Sequence, residues 1–324
     1  MSVPVSFGLK LPNCAGMMCP PEWARPDTIV DLARRAQRSG YSSAWLHEHL
    51  LMPAEYEHLG NAHLYDPSVV MATVLASVPD IVVGTAAVVL PLSEPVSLAR
   101  RMMTMQSFHP GRAVFGLGAG QYASEFAAFG TDLFDKRGRV MEEYLRLIDD
   151  LVDSGMVTFD GEFRSLAGAR FHPTAAAVGR PPIWIAGNAA PAIRRAARFG
   201  DGWISVAKSP EELGECVAML KEHLGSGRRD AGRPFHVAMS TTVVREDAGR
   251  AARAGLHEHR RVVRGDAAEI CADLAAYADA GVDTFILTFG ANALEEVHED
   301  LEWFASEVVG GFARHRHDRE AVVD

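Results

Sequence analysis

Short apolar runs alternate with amphipathic stretches along the chain. The apolar runs have the length of buried strands, and the amphipathic stretches carry apolar residues at three- and four-residue spacing, which is typical of helices. The predicted strands are Val3–Leu11, Ser43–Leu46, Ile81–Leu90, Ala113–Leu117, Ile183–Ala186, Trp203–Val206, Phe235–Val244 and Thr284–Leu287. The predicted helices are Pro26–Arg38, Ser68–Ser77, Glu94–His109, Lys136–Ser154, Ala192–Phe199, Pro210–Leu224, Asp266–Ala280 and Leu294–Val309.

Eight strands that alternate with helices predict a parallel sheet. Eight such units in roughly 300 residues favour a closed (β/α)₈ TIM barrel with insertions. A doubly wound open sheet would need a glycine-rich turn after its first strand to bind a dinucleotide, and Leu11-Pro12-Asn13 is not such a turn. We therefore expect one barrel domain over residues 1–312 and a charged, disordered tail over 313–324.

Three further segments are insertions between barrel units or connections. Asp160-Gly161 between two short apolar runs predicts a small hairpin over 157–164, because Asp-Gly favours a tight turn. The polar Arg/Ala segment after Val244 is consistent with a helical insertion. A long polar loop that contains His58 and His63 follows the second strand.

Composition narrows the function classes. The chain has 324 residues, 48% of them hydrophobic, and a net charge of −10, which argues against a nucleic-acid partner. The sequence contains neither an apolar run of membrane-spanning length nor a signal-peptide pattern, so a cytoplasmic protein is expected. Its four scattered cysteines are expected to be free thiols. Only four of the 32 basic residues are lysines, which suggests a GC-rich genome.

The stretch Pro181–Trp203 has the pattern strand, glycine turn, helix, strand. Gly187-Asn188-Ala189-Ala190 is built from small residues, and Pro191 suits the first turn of the helix that follows. The free N–H groups and the positive dipole end of such a helix can hold a phosphate. No Lys or Arg lies in the turn, so a plain strand-to-helix connection is the alternative.

In a barrel the active site lies at the carboxyl ends of the strands. The candidates there are Asn13, Glu48, His49, the Thr85–Leu90 segment, Gly118–Gln121, Gly187–Ala190, Ser205 and Thr288. His47-Glu48-His49 could begin a metal site, but no further histidine ends the fifth or sixth strand to complete one. Alternatively, Glu48 and His49 line an organic-cofactor pocket and position or move a proton. They could also be a polar pair with no role in chemistry.

The glycine-rich run Gly116–Gly120 does not have the spacing of a dinucleotide fingerprint or a phosphate loop. It could let a flat ring or a phosphate lie against the fourth strand, or it could serve close packing inside the barrel. Glu125 and Arg137 admit structural and functional interpretations equally. No serine stands in a Gly-x-Ser-x-Gly elbow.

Several collinear stretches between residues 26 and 288 together resemble the bacterial luciferase-like flavin- or deazaflavin-dependent oxidoreductases. They are GYSSAWLHEHLLMP, IVVGTAAVVLPLSEPVSLARRMMTMQSFHPGRAVFGLGAG, EFAAFGTDLFDKRGRVMEEYLRLI, VTFDGEFRSL, PPIWIAGNAAPAIRRAARFGDGW and ICADLAAYADAGVDTFIL. The resemblance implies a (β/α)₈ barrel that binds a reduced isoalloxazine-type ring at its mouth. It also implies a homodimer.

The resemblance also implies which residues form the site. Glu48 and His49 match the acidic-His pair near the ring in the subset that uses coenzyme F420. Thr85-Ala86-Ala87 matches a segment that often contains a non-proline cis peptide under the ring, and Gly187, Asn188 and Ala189 match the turn that holds the cofactor phosphate. Gly118 and Gly120 are expected beside the ring. Luciferase itself has an arginine where Ala119 stands and an acidic-Ser pair where Gly187-Asn188 stands, so its phosphate contacts are absent here. It also has two histidines where Glu48 and His49 stand.

These departures and the arginine-rich composition favour F420 over FMN. The expected enzyme therefore transfers hydride between the cofactor and a small, largely apolar organic substrate. The first alternative is an FMN-dependent monooxygenase that uses O₂ in a dry pocket. A metal-dependent barrel hydrolase and a non-catalytic, ligand-binding homologue are the others.

Overall fold

A computed structural model describes residues 4–14, 19–52, 63–206, 208–224, 233–246, 248–249 and 262–312. Three of the sequence predictions lie outside these residues. They are the tail over 313–324, His58 in the loop after the second strand, and the helical insertion after Val244, most of which falls in 247–261.

The described strands close into a parallel eight-stranded barrel, as predicted. The barrel strands are β1 Ser6–Lys10, β2 Ser43–Leu46, β3 Val82–Thr85, β5 Ala113–Gly118, β8 Ile183–Ala186, β9 Gly202–Val206, β10 His236–Arg245 and β12 Thr284–Phe289. β12 pairs with both β1 and β10, and β10 pairs with β9, so the ring has no open edge. The carboxyl ends of all eight strands therefore meet at one face.

Helices surround the barrel and cover its outer face. They are α1 Pro26–Arg38, α2 Pro67–Ser77, α3 Pro95–Phe108, α4 Ala123–Ala128, α5 Arg137–Ser154, α6 Ala175–Val178, α7 Ala190–Phe199, α8 Pro210–His223, α9 Ala267–Asp279 and α10 Leu294–Trp303, which continues as a π-helical turn, Phe304–Val309. Asp266 caps α9 through a capping box with Glu269. Within the described ranges, none of the helices combines the length and the apolar character that crossing a bilayer requires.

The barrel interior is filled by side chains from alternate strand positions. The middle layer consists of Trp45, Val114, Trp184, Ile204, Ala238 and Ile286, all buried. Glycines make room for the large Trp45 ring: a Cβ on Gly84 would stand 2.3 Å from it, and one on Gly8 2.5 Å. This layer fills the centre of the barrel, so the interior is a packed core and not a pore.

The structure differs from the predicted elements in two existing elements and in three additional ones. The predicted strand Ile81–Leu90 is β3 followed by β4 (Val88–Val89), because a cis peptide bond between Ala86 and Ala87 interrupts it. The hairpin is longer, with β6 Met156–Asp160 and β7 Ser165–Arg170. Its turn is longer because the buried carboxylate of Glu143 accepts the backbone N–H groups of Glu162, Phe163 and Arg164.

The remaining differences are three elements that the pattern did not reveal: one strand and two short helices. β11, Val262–Gly265, pairs with the upper half of β10, beyond the part that pairs with β9. The short helices α4 and α6 lie in connections, where four to six residues are too few to display a helical period.

Candidate active site

The loop after β2 carries the predicted pair Glu48 and His49 to the mouth of the barrel, and Asn13 positions this loop. The Asn13 side chain is fully buried; its Nδ2 donates to the carbonyl of His47 at 2.7 Å, and its Oδ1 accepts the N–H of His47 at 3.1 Å. This two-way bond joins the ends of β1 and β2. Asn13, predicted as a candidate site residue, therefore holds the loop through its backbone.

Glu48 is a half-buried carboxyl group beside the end of β3. Its Oε2 accepts the N–H of Val89 at 2.8 Å, two residues after the cis peptide bond. Burial is the main cause that raises the pKa of Glu48 from 4.5 to about 7. The negative charges of Asp66 and Glu125 add to the rise, whereas the Val89 N–H and Arg101 oppose it. At neutral pH the group can therefore hold or release a proton.

His49 and the backbone of Leu50 are held by a second carboxylate, Glu125, from α4. Glu125 is only 1% exposed; its Oε2 lies 3.4 Å from Nδ1 of His49, and its Oε1 accepts the N–H of Leu50 at 2.9 Å. If the carboxylate accepts the Nδ1 proton, Nε2 of the neutral ring is left as an acceptor. The ring of Tyr122 lies 5.9 Å from that of His49.

A floor of small residues lies across neighbouring strand ends near this pair. It consists of Ala86 and Ala87 after β3, Gly118 at the end of β5 and Ala186 at the end of β8. The Ala86–Ala87 bond is cis, at the position where the resemblance predicted one. A Cβ added to Gly118 would stand 3.5 Å from Cβ of Ala87 and 3.9 Å from Cβ of Ala186, both ordinary contact distances. None of these four residues therefore has a side chain larger than a methyl group.

Two other predicted residues serve the framework around the floor. The hydroxyl of Thr85 is buried and donates to the carbonyl of Gly116 at 2.9 Å. Gly120 has φ +85°, and a Cβ there would come within 2.6 Å of the Phe126 ring. The backbone at Gly120 therefore needs glycine for conformation and for space.

The turn Gly187–Ala189 connects β8 to α7. The side chain of Asn188 in this turn forms hydrogen bonds with the end of β9. Oδ1 of Asn188 accepts the N–H of Val206 at 3.1 Å and the Ser205 hydroxyl at 3.2 Å, and its Nδ2 donates to the Val206 carbonyl. Trp203 Nε1 donates to the carbonyl of Gly187 at 2.7 Å. Helix α7 then begins after Ala189 without a side-chain cap. The amide of Asn188 thus anchors the turn. At the start of α7, Pro191 has no N–H, and the N–H groups of Ala192 and Ile193 donate to the carbonyl of Ala189 at 2.8 and 3.2 Å.

Metal chemistry and thiol chemistry receive no support from the described residues. Among them, no group of three or more His, Cys, Asp or Glu side chains is arranged to hold a metal ion. All four cysteines are buried free thiols. Burial raises the pKa of the Cys14 thiol to about 12, so it stays protonated and is a poor nucleophile.

The closed ring of eight parallel strands surrounded by helices defines the chain as a (β/α)₈ barrel protein. A sequence profile of the luciferase-like monooxygenase family matches residues 5–280. The chain belongs to the luciferase-like monooxygenase family, as the resemblance predicted.

Three individual similarities illustrate the range of the family. The chain is 31% identical over 184 residues, 56% of its length, to the alkanal monooxygenase alpha chain of Photorhabdus luminescens. It is 29% identical over 226 residues, 67% of its length, to an F420-dependent hydroxymycolic acid dehydrogenase of Mycobacterium tuberculosis. The matched regions span 49% and 58% of those two relatives.

The third similarity is to a solved structure. An F420-dependent secondary alcohol dehydrogenase in complex with an F420–acetone adduct superposes with a TM-score of 0.77 at 18% identity, covering 95% of this chain and 98% of that one. At this identity the superposition establishes a shared fold. The proteins to which this chain is similar therefore include a monooxygenase and two F420-dependent dehydrogenases.

Proposed function

We propose that the protein is an F420-dependent oxidoreductase that transfers hydride between the deazaflavin and a small, largely apolar alcohol or carbonyl compound. The observation that carries the proposal is the position of Glu48, an acid with a pKa of about 7, beside the floor of small residues. A hydride transfer to a carbonyl carbon needs a proton for the oxygen, and the reverse reaction needs a base to accept it.

The floor fits a flat ring. Ala87, Gly118 and Ala186 contribute at most a methyl group each, so a planar ring can lie against the strand ends without meeting a side chain. A bound deazaflavin supplies or accepts hydride at the ring carbon that replaces the flavin nitrogen. The chain itself supplies the surface that orients this ring and the polar pair at its edge.

Glu48 and His49 are the groups that would move the proton. The N–H of Val89 holds one oxygen of Glu48, and the Glu125 carboxylate holds Nδ1 of His49. Both side chains are therefore oriented before a substrate arrives, which lowers the cost of positioning. We assign Glu48 as the proton donor for carbonyl reduction and Nε2 of His49 as the acceptor that positions the hydroxyl group of an alcohol substrate.

Backbone N–H groups would bind the cofactor phosphate. Ala119 provides no cation, and the Asn188 side chain is bonded to β9, so we assign the phosphate to the backbone N–H groups of Ala189 and Ala190, just ahead of Pro191. Helix starts bind anions through N–H groups and the helix dipole. The missing arginine at position 119 supports F420 over FMN.

A titration tests the cofactor. Purified protein is titrated with F420 and with FMN, oxidised and reduced, and we expect micromolar binding of the deazaflavin with at least roughly tenfold weaker binding of FMN. Gly118→Val should weaken F420 binding by at least about tenfold without loss of stability, since a strand-compatible side chain would stand on the floor. Gly214→Ala is the matched control, because open space surrounds Gly214 on α8.

The second candidate is an FMN-dependent monooxygenase, favoured by the 31% identity to an alkanal monooxygenase. Tight binding of reduced FMN, together with weak binding of F420, would establish this function and contradict our proposal. Unchanged affinity of Gly118→Val for whichever cofactor binds would contradict the role of the floor.

A further inference from the structure

A cavity at the opposite, amino-terminal end of the barrel lies beneath the middle layer and away from Glu48. Its volume is about 270 Å³, and it is lined by the first residues of several barrel strands, among them Ser6, Ser43, Val82, His236 and Thr284. A cavity of about 150 Å³ is large enough for benzene. This one therefore has room for a molecule of one or two rings.

Much of the cavity lining is aromatic. Trp45 and Trp184 are 1% and 5% exposed, with ring centroids 5.1 Å apart, and the His236 ring stacks on Trp184 at 5.1 Å with an interplanar angle of 25°. Val82 and Val114 complete the apolar lining. Such a lining favours a planar ligand that stacks or packs edge to face.

The polar groups of the cavity are mostly hydrogen-bond acceptors. The Ser6 and Ser42 hydroxyls donate to the carbonyls of Asp283 and Phe7, so their oxygens keep lone pairs for a ligand. The Asp283 carboxylate lies 3.2 Å from Nδ1 of His236, so the tautomer that donates Nδ1–H to this carboxylate presents Nε2 as an acceptor.

The charges at the rim are paired. Arg233 lies 3.8 Å from the Asp201 carboxylate, and both line the cavity. A net charge on the ligand would therefore meet no unbalanced partner of opposite sign at this rim.

We propose that this amino-terminal cavity is a second binding site for an uncharged, planar aromatic molecule that carries an N–H or O–H donor, such as an indole or a phenol. The site is separate from the barrel mouth, so the proposal does not depend on the cofactor or on the reaction catalysed there.

Tryptophan side-chain signals in an NMR titration with indole test the location directly. Each of the five tryptophan Nε1–H signals is assigned with a Trp→Phe variant. We expect the signals of Trp45 and Trp184 to shift. That of Trp203, whose Nε1 donates to Gly187 at the barrel mouth, should stay unchanged. A shift of Trp203 alone, or no shift up to the solubility limit of indole, would overturn the proposal.

Two comparisons test the chemistry of the site. Val82→Phe fills the cavity and should weaken indole binding by about tenfold, whereas Val69→Phe at an exposed position of α2 should leave it unchanged. Replacement of indole by 1-methylindole removes the N–H donor and should weaken binding severalfold. Equal affinity for the two compounds would contradict the donor requirement. The wild-type signals decide the location even if Val82→Phe does not fold.

Discussion

Replacement of Glu48 by glutamine should change how stability depends on pH. Glutamine keeps an oxygen for the N–H of Val89 and removes the ionisation. The pKa of Glu48 is raised in the folded protein, so the folded state binds its proton more tightly than the unfolded chain does. The resulting stabilisation is fully present below the unfolded pKa near 4.5 and is lost as the pH rises through about 7.

The magnitude follows from the two pKa values. One pH unit of difference corresponds to about 1.4 kcal/mol, so ionisation of Glu48 costs the folded state about 2.5 kcal/mol between about pH 5 and about pH 8. Partial exposure of the side chain lowers the expected figure to about 2 kcal/mol. Glu48→Gln should escape this loss, while every other titrating group contributes equally to both proteins.

Urea denaturation at several pH values between these limits measures the effect. The free energy of unfolding of wild type relative to Glu48→Gln should fall by about 2 kcal/mol across the range. Glu22→Gln, at an exposed glutamate before α1, is the control for an amide substitution and should follow wild type. Parallel curves for wild type and Glu48→Gln would refute the reasoning, because they would mean that Glu48 is ionised throughout.

Three further substitutions test the framework of the site. Gly120→Ala should lower the free energy of unfolding in urea by about 1–3 kcal/mol, because position 120 has a positive φ and an added Cβ would clash with the Phe126 ring. An unchanged midpoint of the urea transition would mean that the backbone adapts. Glu143→Leu removes the acceptor of three backbone N–H groups, so hydrogen exchange over 162–164 should accelerate at least about tenfold; unchanged protection would exclude this role. Asn188→Leu should lower the free energy of unfolding by about 1–3 kcal/mol and weaken cofactor binding. Wild-type cofactor affinity in Asn188→Ala would show that the turn keeps its conformation without the Asn188 amide.

The barrel was predictable from the sequence because its signal is repeated. Each strand and each helix has its own spacing of apolar residues, and eight strand–helix units in sequence favour a closed parallel barrel over other topologies. The strand ends then placed Glu48, His49 and Gly118 at one face without further information. The cis bond at Ala86–Ala87 was expected only from the family resemblance, since no local pattern distinguishes those two alanines from a continuing strand.

Contacts between distant segments could not be predicted in the same way. Glu125 lies 77 residues after Glu48 in the sequence, and only folding of α4 over the mouth brings its carboxylate to His49 and Leu50. Asn13 and Asn188 were predicted as candidate site residues, but the sequence did not reveal that their amides bind the backbone of neighbouring strand ends. A buried amide that satisfies backbone groups and one that meets a ligand have the same appearance in a sequence.

Transfer of deuterium from substrate to cofactor is the most direct test of hydride transfer at the barrel mouth. Purified protein is incubated without O₂ with oxidised F420 and a panel of small secondary alcohols that carry deuterium on the carbinol carbon. We predict that at least one alcohol is oxidised to its ketone and that its deuterium appears on the reduced deazaflavin, with turnover lost in Glu48→Gln. Turnover that occurs only with reduced FMN and O₂, and places oxygen in the product, would contradict the proposed function.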